Sequence, residues 1–230
     1  GREVSDAVKK AGVILQMGSQ QRSLYPWPQF HKACELVRNG RIGKLEKIFI
    51  GLPGDPAGGD STKMDIPANL NYDMWLGETP EVYYTQDRVH SQSDVFARPG
   101  WLRCEQFGAG MITGWGSHHI DIAHWGMGTE YSGPVEVWGS AEFAKAGLWD
   151  VHGKFTTYAK YENGVLMEVS DGLPNGVKFE GTDGWIFVTR GNYSVTSSDP
   201  VQKDKADVPL MASDPAILTS VIGDNEVRLY

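Results

Sequence analysis

The hydrophobic positions of this chain change period along its length, from helical spacing to the spacing of strands. Residues 3–10 place apolar side chains at helical intervals, and Gly12 follows as a helix-ending residue. Residues 13–17 then form an apolar run, the pattern of a strand buried on both faces of a parallel sheet. A helix followed by such a strand is half of a βαβ unit, so we expect the chain to begin inside an α/β domain.

A second helix and a series of strands are predicted further along. Residues 28–39 carry an amphipathic stripe that ends at Asn39-Gly40. The dipeptides Asn163-Gly164 and Asp183-Gly184 favour tight hairpins, so the strands around them should be antiparallel neighbours. Strands are predicted at residues 44–52, 135–143, 153–161, 165–170, 177–180 and 185–189.

Between the first two of these strands lies a long polar segment, residues 53–100, punctuated by glycine and proline. A single helical turn is predicted around residues 72–75. A loop of this length inside a compact domain is usually functional. We therefore expect this segment to have a functional role.

Composition narrows the possible partners. The chain has 230 residues and a formal net charge of −8, which disfavours nucleic acid and membrane surfaces and favours a small neutral substrate. Cys34 and Cys104 form no C-x-x-C pair, so neither a disulfide framework nor a structural zinc site is indicated. Eight tryptophans and nine tyrosines suit carbohydrate faces as well as a sheet core.

The candidate chemistry is concentrated in residues 108–125. Small residues at its start would let the backbone approach a ligand closely, and a helical run with three histidines and a carboxylate follows. At about 100° per residue, His118 and Asp121 share one helix face, so they can meet one ligand. An imidazole is suited to taking a proton from a hydroxyl near neutral pH, and a carboxylate can orient it.

Two other interpretations of the same residues stay open at this point. His118 can be a half-buried structural histidine, with Asp121 a charge on the helix surface. A metal site built from His118, Asp121 and His124 is less favoured, because the three fan across about 120° of helix and no second ligand cluster is evident. No metal is therefore predicted.

Residues 108–121 resemble a known signature. They are similar to G-G-G-x-L-x-D-x-G-x-H-x-x-D, found in the C-terminal domain of the glucose-fructose oxidoreductase, inositol dehydrogenase and rhizopine-catabolism (Gfo/Idh/MocA) family. Residues 11–22 resemble the last Rossmann helix and strand of that family, and residues 37–43 its first linking helix. Trp101-Leu102-Arg103 resembles its W-x-R element. The likeness covers about residues 1–190.

The resemblance implies a fold and a function. The fold is α+β, an open, mostly antiparallel sheet with helices on one face, preceded by a Rossmann remnant. Residues 1–22 would be that remnant, and residues 23–230 a domain for substrate binding and oligomerisation. The parent protein would be an oxidoreductase that uses NAD or NADP on a sugar, a polyol or a sugar derivative. It would form a homodimer or homotetramer through the open sheet. The sequence leaves the compartment open between the cytoplasm and the bacterial periplasm.

The resemblance also assigns roles to individual residues. His118 matches the catalytic histidine. The residues expected on the substrate side are Asp121, Trp115, Arg103 and His119, and those expected beside the cofactor are Gln20 and Arg22.

Two departures from the family pattern bear on the activity. Gly114 replaces the first carboxylate of the signature, and the lysine of the family's Glu-Lys-Pro element would fall before Gly1. We therefore expect this polypeptide alone to bind NAD weakly and to turn over little. The alternatives are an NAD-dependent glycosidase that oxidises its substrate transiently, or a non-catalytic module for assembly or sugar binding.

Overall fold

The structure is a computed structural model that describes residues 2–16, 18–91, 93–94, 96–198 and 208–209. Two 3₁₀ turns, Gln20–Arg22 and Gly100–Arg103, lie among its helices. No described helix is long and apolar enough to cross a membrane. The helices are α1 (Arg2–Ala11), α2 (Pro28–Arg38), α3 (Tyr72–Leu76), α4 (Gly110–Thr113) and α5 (Gly116–Met127).

Eight strands form one open sheet in the order β2-β3-β4-β1-β5-β6-β7-β8. Only β1 and β4 pair in parallel among the described strands, and the other neighbours are antiparallel. This confirms the predicted α+β class and both predicted hairpins. The strands are β1 (Leu45–Gly51), β2 (Glu136–Phe143), β3 (His152–Lys160), β4 (Leu166–Ser170), β5 (Gly176–Gly181), β6 (Gly184–Thr189), β7 (Asn192–Ser197) and β8 (Val208–Pro209).

The main hydrophobic core lies between one face of the sheet and helices α2 and α5. Ile48 and Phe179 are fully buried, whereas Phe49 and Lys178 beside them are partly exposed, since successive strand residues point to opposite faces. Each fully buried apolar side chain of this size contributes about 1.5–3 kcal/mol. A Cβ on Gly126 would come within 2.7 Å of the Phe179 ring, so α5 lies directly on the sheet.

The predicted strand over residues 13–17 is wrong for residues 13–16, and Met17 lies outside the described residues. Residues 13–16 form neither helix nor strand, and Ile14 is 98% exposed. A parallel strand is stabilised by backbone hydrogen bonds and burial on both faces. The described residues provide no neighbouring strand for this segment, so its apolar pattern alone does not produce one.

Strands β7 and β8 were not predicted, because the sequence pattern indicated no strand beyond residue 189. β7 pairs antiparallel with β6, with Ile186 opposite Ser197. Its only apolar residues are Tyr193 and Val195, which alternate with polar ones, and the hydrogen bonds with β6 define the strand. The sheet therefore extends two strands further than the pattern indicates.

The long segment after β1 has a small core of its own. Tyr72 and Leu76 of α3 are buried together with Tyr84 and Val89, and Phe107 packs against them. The ring centroids of Tyr72 and Trp75 lie 5.5 Å apart. The predicted helical turn is confirmed, and the segment is a folded lobe rather than a structureless loop.

Candidate active site

The first 3₁₀ turn is joined to α5 by an ion pair. Arg22 donates from Nε to Asp121 Oδ2 at 2.8 Å and from Nη2 to Asp121 Oδ1 at 2.6 Å. The Arg22 guanidinium carbon also lies 5.1 Å from the centroid of the Trp125 ring. Two-pronged pairs of this kind are among the strongest charge-assisted contacts in proteins. The structure thus brings together one residue predicted beside the cofactor and one predicted beside the substrate.

His119 is fully buried and both of its ring nitrogens contact protein groups. Gln21 Nε2 donates to His119 Nδ1 at 3.1 Å, and His119 Nε2 donates to Asn175 Oδ1 at 2.9 Å. Burial lowers the pKa of His119 to about 4, although the Asn175 hydrogen bond opposes this shift. His119 is therefore neutral near pH 7 and is held between Gln21 and Asn175, in the core rather than facing the solvent.

Arg190, in the turn between β6 and β7, contacts the same 3₁₀ turn. Its Nε donates to Gln21 Oε1 at 2.7 Å and its Nη2 donates to Gln20 Oε1 at 3.1 Å. Its guanidinium carbon lies 4.2 Å from the ring centroid of Trp27 and 4.6 Å from that of Trp115. Sequence reasoning missed Arg190, because an arginine in a hairpin turn belongs to no motif.

His118 lies at the end of this arrangement, half-buried on α5. Its ring centroid is 6.2 Å from that of Trp115, and neither ring nitrogen has a hydrogen bond to a described residue. Burial lowers the pKa of His118, the charge of Arg190 lowers it further, and Asp121 opposes both effects. His118 is thus a neutral imidazole with free nitrogens, able to accept a proton. Asp121 influences it through its charge while its oxygens are bonded to Arg22.

The glycine-rich entry to α5 has a different role from the predicted one. Gly110 has φ +71°, and a Cβ there would lie 2.6 Å from Asp55 Oδ2 and 2.8 Å from His152 Nε2. Asp55 Oδ2 accepts the Met111 N–H at 2.6 Å, and so satisfies a backbone donor at the start of α4. We expected small residues here to admit a ligand. At Gly110 the neighbouring atoms belong to protein groups, so the expectation is corrected there, and for Gly114 and Gly116 it stays a prediction.

The remaining predicted residues lie apart from this cluster. Arg103 places its guanidinium carbon 4.5 Å from the Trp149 ring centroid, and no described contact joins it to His118. His124 Nε2 lies 2.9 Å from the Tyr161 hydroxyl. Across the part of the chain that the structure describes, no group of three histidine, cysteine or acidic residues is arranged to hold a metal ion.

Residues 58–192 match a family model described as the C-terminal alpha/beta domain of an oxidoreductase family, the Gfo/Idh/MocA family. The match covers more than half of the chain. The chain belongs to the Gfo/Idh/MocA family. Membership confirms the resemblance that residues 108–121 carry. A comparison with curated protein sequences found none that matches.

Solved structures share the Gfo/Idh/MocA domain fold at low sequence identity. An oxidoreductase domain protein from Kribbella flavida is 16% identical, with a TM-score of 0.56 over 91% of this chain and 50% of that one. The WlbA dehydrogenase from Bordetella pertussis, solved in complex with NADH and UDP-GlcNAcA, is 12% identical, with a TM-score of 0.51 over 81% of this chain and 46% of that one. The chain spans about half the length of these structures.

Proposed function

We propose that this chain is the substrate-binding part of an NAD- or NADP-dependent oxidoreductase that acts on a sugar, a polyol or a sugar derivative. Residues 1–22 would then be the last part of a Rossmann domain, and residues 23–230 would bind the substrate. The observation that carries the proposal is His118, a neutral imidazole whose ring nitrogens have no described protein partner. Membership of an oxidoreductase family supports the reaction class.

In the proposed reaction, His118 accepts the proton of a substrate hydroxyl while the carbon that bears it becomes a carbonyl. Bound NAD or NADP supplies the acceptor for the hydride that leaves this carbon. The reverse reaction returns the proton from His118. Desolvation and Arg190 keep the imidazole unprotonated near pH 7, which is the state that a base requires.

The residues around His118 act as positioning groups in this proposal. His119 holds Gln21, Gln21 accepts from Arg190, and Arg190 contacts Trp115. Arg22 holds Asp121 next to His118 on α5. Each link is a directional hydrogen bond or ring contact, so the chain of contacts fixes the site before a ligand binds.

Gln20 is the residue best placed to contact the cofactor. It is exposed, and its described side-chain hydrogen bond uses only Oε1, as the acceptor from Arg190. Its amide Nε2 is therefore free to donate to a carbonyl oxygen such as that of the nicotinamide carboxamide. Arg22, the other predicted cofactor residue, is engaged by Asp121 and fits a supporting role better.

The test is product analysis with the protein that carries this chain together with its dinucleotide-binding domain. Incubation with NAD or NADP and a panel of sugars, polyols and sugar acids should produce net NADH or NADPH and a carbonyl product. A glycosidase that oxidises its substrate only transiently would release an aglycone without net reduction of the cofactor. That result, or no reaction dependent on either cofactor, would overturn the proposal.

Assembly through the sheet is a second candidate function, favoured by strand β2. All eight residues of this edge strand are exposed, among them Val137 at 66% and Trp138 at 43%. Exposed apolar side chains on an edge strand favour contact with another chain. We propose that the sheet joins two or four copies. Light scattering should give a dimer or tetramer that Val137→Glu dissociates, and a monomeric wild-type protein would overturn this.

A further inference from the structure

The surroundings of His118 carry positive charge although the whole chain carries −8. Three guanidinium groups contact the tryptophans of the site. Arg22 lies over Trp125, and both Arg190 and Arg98 lie over Trp115, at 4.6 Å and 6.0 Å from its ring centroid. The Trp115 ring is in turn adjacent to that of His118. The negative net charge of the chain therefore does not predict the positive electrostatic potential around His118.

Among the residues that the structure describes, one of these three arginines is neutralised by an adjacent carboxylate. Arg22 is paired with Asp121. Arg98 and Arg190 have no ion pair with a carboxylate among the described residues. Arg190 is partly buried, and a cation removed from water without a counter-ion is unfavourable. An anionic ligand would remove that cost, whereas a neutral ligand would not.

The Arg190 side chain is also held ready for such a ligand. Gln21 and Gln20 accept from its Nε and Nη2, and two tryptophan rings contact the guanidinium. Its Nη1 makes no hydrogen bond within the described part of the chain. A guanidinium fixed by other contacts loses little conformational entropy when it binds an oxyanion, and its remaining donors match carboxylate geometry.

We propose that Arg190 binds a carboxylate group of the substrate beside His118, so that the substrate is a sugar acid. The inference rests on the proposed function for the identity of the substrate, but the anion site itself does not depend on it. It replaces the neutral substrate that the net charge favoured. A phosphate group presents the same anionic oxygens, and the experiment separates the two.

The experiment measures binding to the whole chain by calorimetry, without cofactor. D-glucuronate is the probe, D-glucose the neutral counterpart, and inorganic phosphate the competing anion. Wild type should bind glucuronate at least about tenfold more tightly than glucose, because a charged hydrogen-bonded contact is absent with glucose. Arg190→Met should weaken glucuronate binding about 10- to 100-fold and weaken glucose binding by a smaller factor, because glucose loses only the positioning contacts of Arg190. Arg190→Lys, which keeps the charge, should restore part of the affinity.

Lys178→Met is the matched control. Lys178 is a cation 5.2 Å from the Trp185 ring centroid, on the sheet face opposite α5, so its loss changes the net charge equally without touching the site. It should bind glucuronate like wild type. Thermal unfolding of both variants should show that each is folded.

Three results would overturn the carboxylate site. These are glucuronate binding that Arg190→Met leaves unchanged, equal losses in Arg190→Met and Lys178→Met, and no binding of glucuronate at all. Phosphate can also compete with glucuronate for the site. If the inhibition constant of phosphate is lower than the Kd of glucuronate, the site is a phosphate site and the sugar-acid assignment is wrong. Glucuronate binding that depends on Arg190, in a protein that reduces no cofactor, would refute the proposed function while confirming the anion site.

Discussion

Arg22 and Asp121, 99 positions apart in the sequence, hold the 3₁₀ turn Gln20–Arg22 against helix α5 through two hydrogen bonds of 2.8 Å and 2.6 Å. This contact places Gln20 and Gln21 beside the helix that carries His118. The two residues were predicted to serve different ligands, one the cofactor and one the substrate. Their pairing makes them parts of one supporting structure.

The Arg22–Asp121 pair should couple energetically. Its side chains are only 14% and 26% exposed, so Arg22→Met or Asp121→Asn should each lower the free energy of unfolding by about 1–3 kcal/mol. The double variant should lose less than the sum, with a coupling energy of about 1–2 kcal/mol in urea unfolding. The Lys178–Glu180 pair, with both side chains 34% exposed, is the control and should couple by less than about 1 kcal/mol. Additive effects of Arg22 and Asp121 would contradict the structure.

The protonation of His118 should respond to its two charged neighbours in opposite directions. Arg190 disfavours the imidazolium and Asp121 favours it. Arg190→Met should therefore raise the pKa of His118, and Asp121→Asn should lower it. NMR titration of the imidazole resonances measures both. A His118 pKa that is the same in the two variants would show that neither charge acts on the ring.

His119 should make folding stability depend on pH. Because its folded pKa of about 4 lies below the unfolded value of 6.5, its contribution is fully present above pH 6.5 and is lost as the pH falls towards 4. The loss amounts to about 3 kcal/mol. Urea unfolding at several pH values should show a shallower pH dependence for His119→Gln than for wild type. Parallel curves would mean that His119 is not held neutral by burial.

Gly110 and Gly128 offer a matched test of the close approach at the start of α4. Their φ angles are +71° and +72°, but a Cβ on Gly128 meets nothing within 4 Å, whereas one on Gly110 meets Asp55 and His152. Gly128→Ala should cost about 1 kcal/mol, the price of the left-handed backbone alone. Gly110→Ala should cost about 2–4 kcal/mol in thermal or urea unfolding, since steric overlap adds to it. Equal losses of unfolding free energy in the two variants would show that Asp55 and His152 do not exclude a Cβ at Gly110.

Local patterns were sufficient for most of the secondary structure. The amphipathic stripe of α2 and the hairpin dipeptides Asn163-Gly164 and Asp183-Gly184 act over a few residues, so they can be recognised without tertiary information. The segment 13–16 failed because a parallel strand depends on partners that a local pattern does not contain. β7 was not predicted because its local sequence is weak evidence for a strand. It forms through its antiparallel pairing with β6.

The contacts of the candidate site are likewise of two kinds, those between residues close in sequence and those between distant residues. His118 and Asp121 are three positions apart on one helix, so their proximity was predictable from helical geometry. The contact between Arg190 and Gln21 spans 169 positions and follows no motif. His119 donates a hydrogen bond to Asn175, which lies 56 positions away. Long-range contacts of this kind decide which residues face a ligand, and they become visible only in the folded chain.

His118 transfers the substrate proton in this mechanism, so its replacement in the protein that carries this chain with its dinucleotide-binding domain should affect turnover and not cofactor binding. His118→Gln should lower kcat for sugar-dependent cofactor reduction about 10²- to 10⁴-fold, while the cofactor Kd from calorimetry stays unchanged. The control is Ser117→Ala, at an exposed neighbour whose hydroxyl donates to the Gly114 carbonyl, and it should behave like wild type. A His118→Gln protein with the kcat of wild type would show that His118 does not transfer the proton.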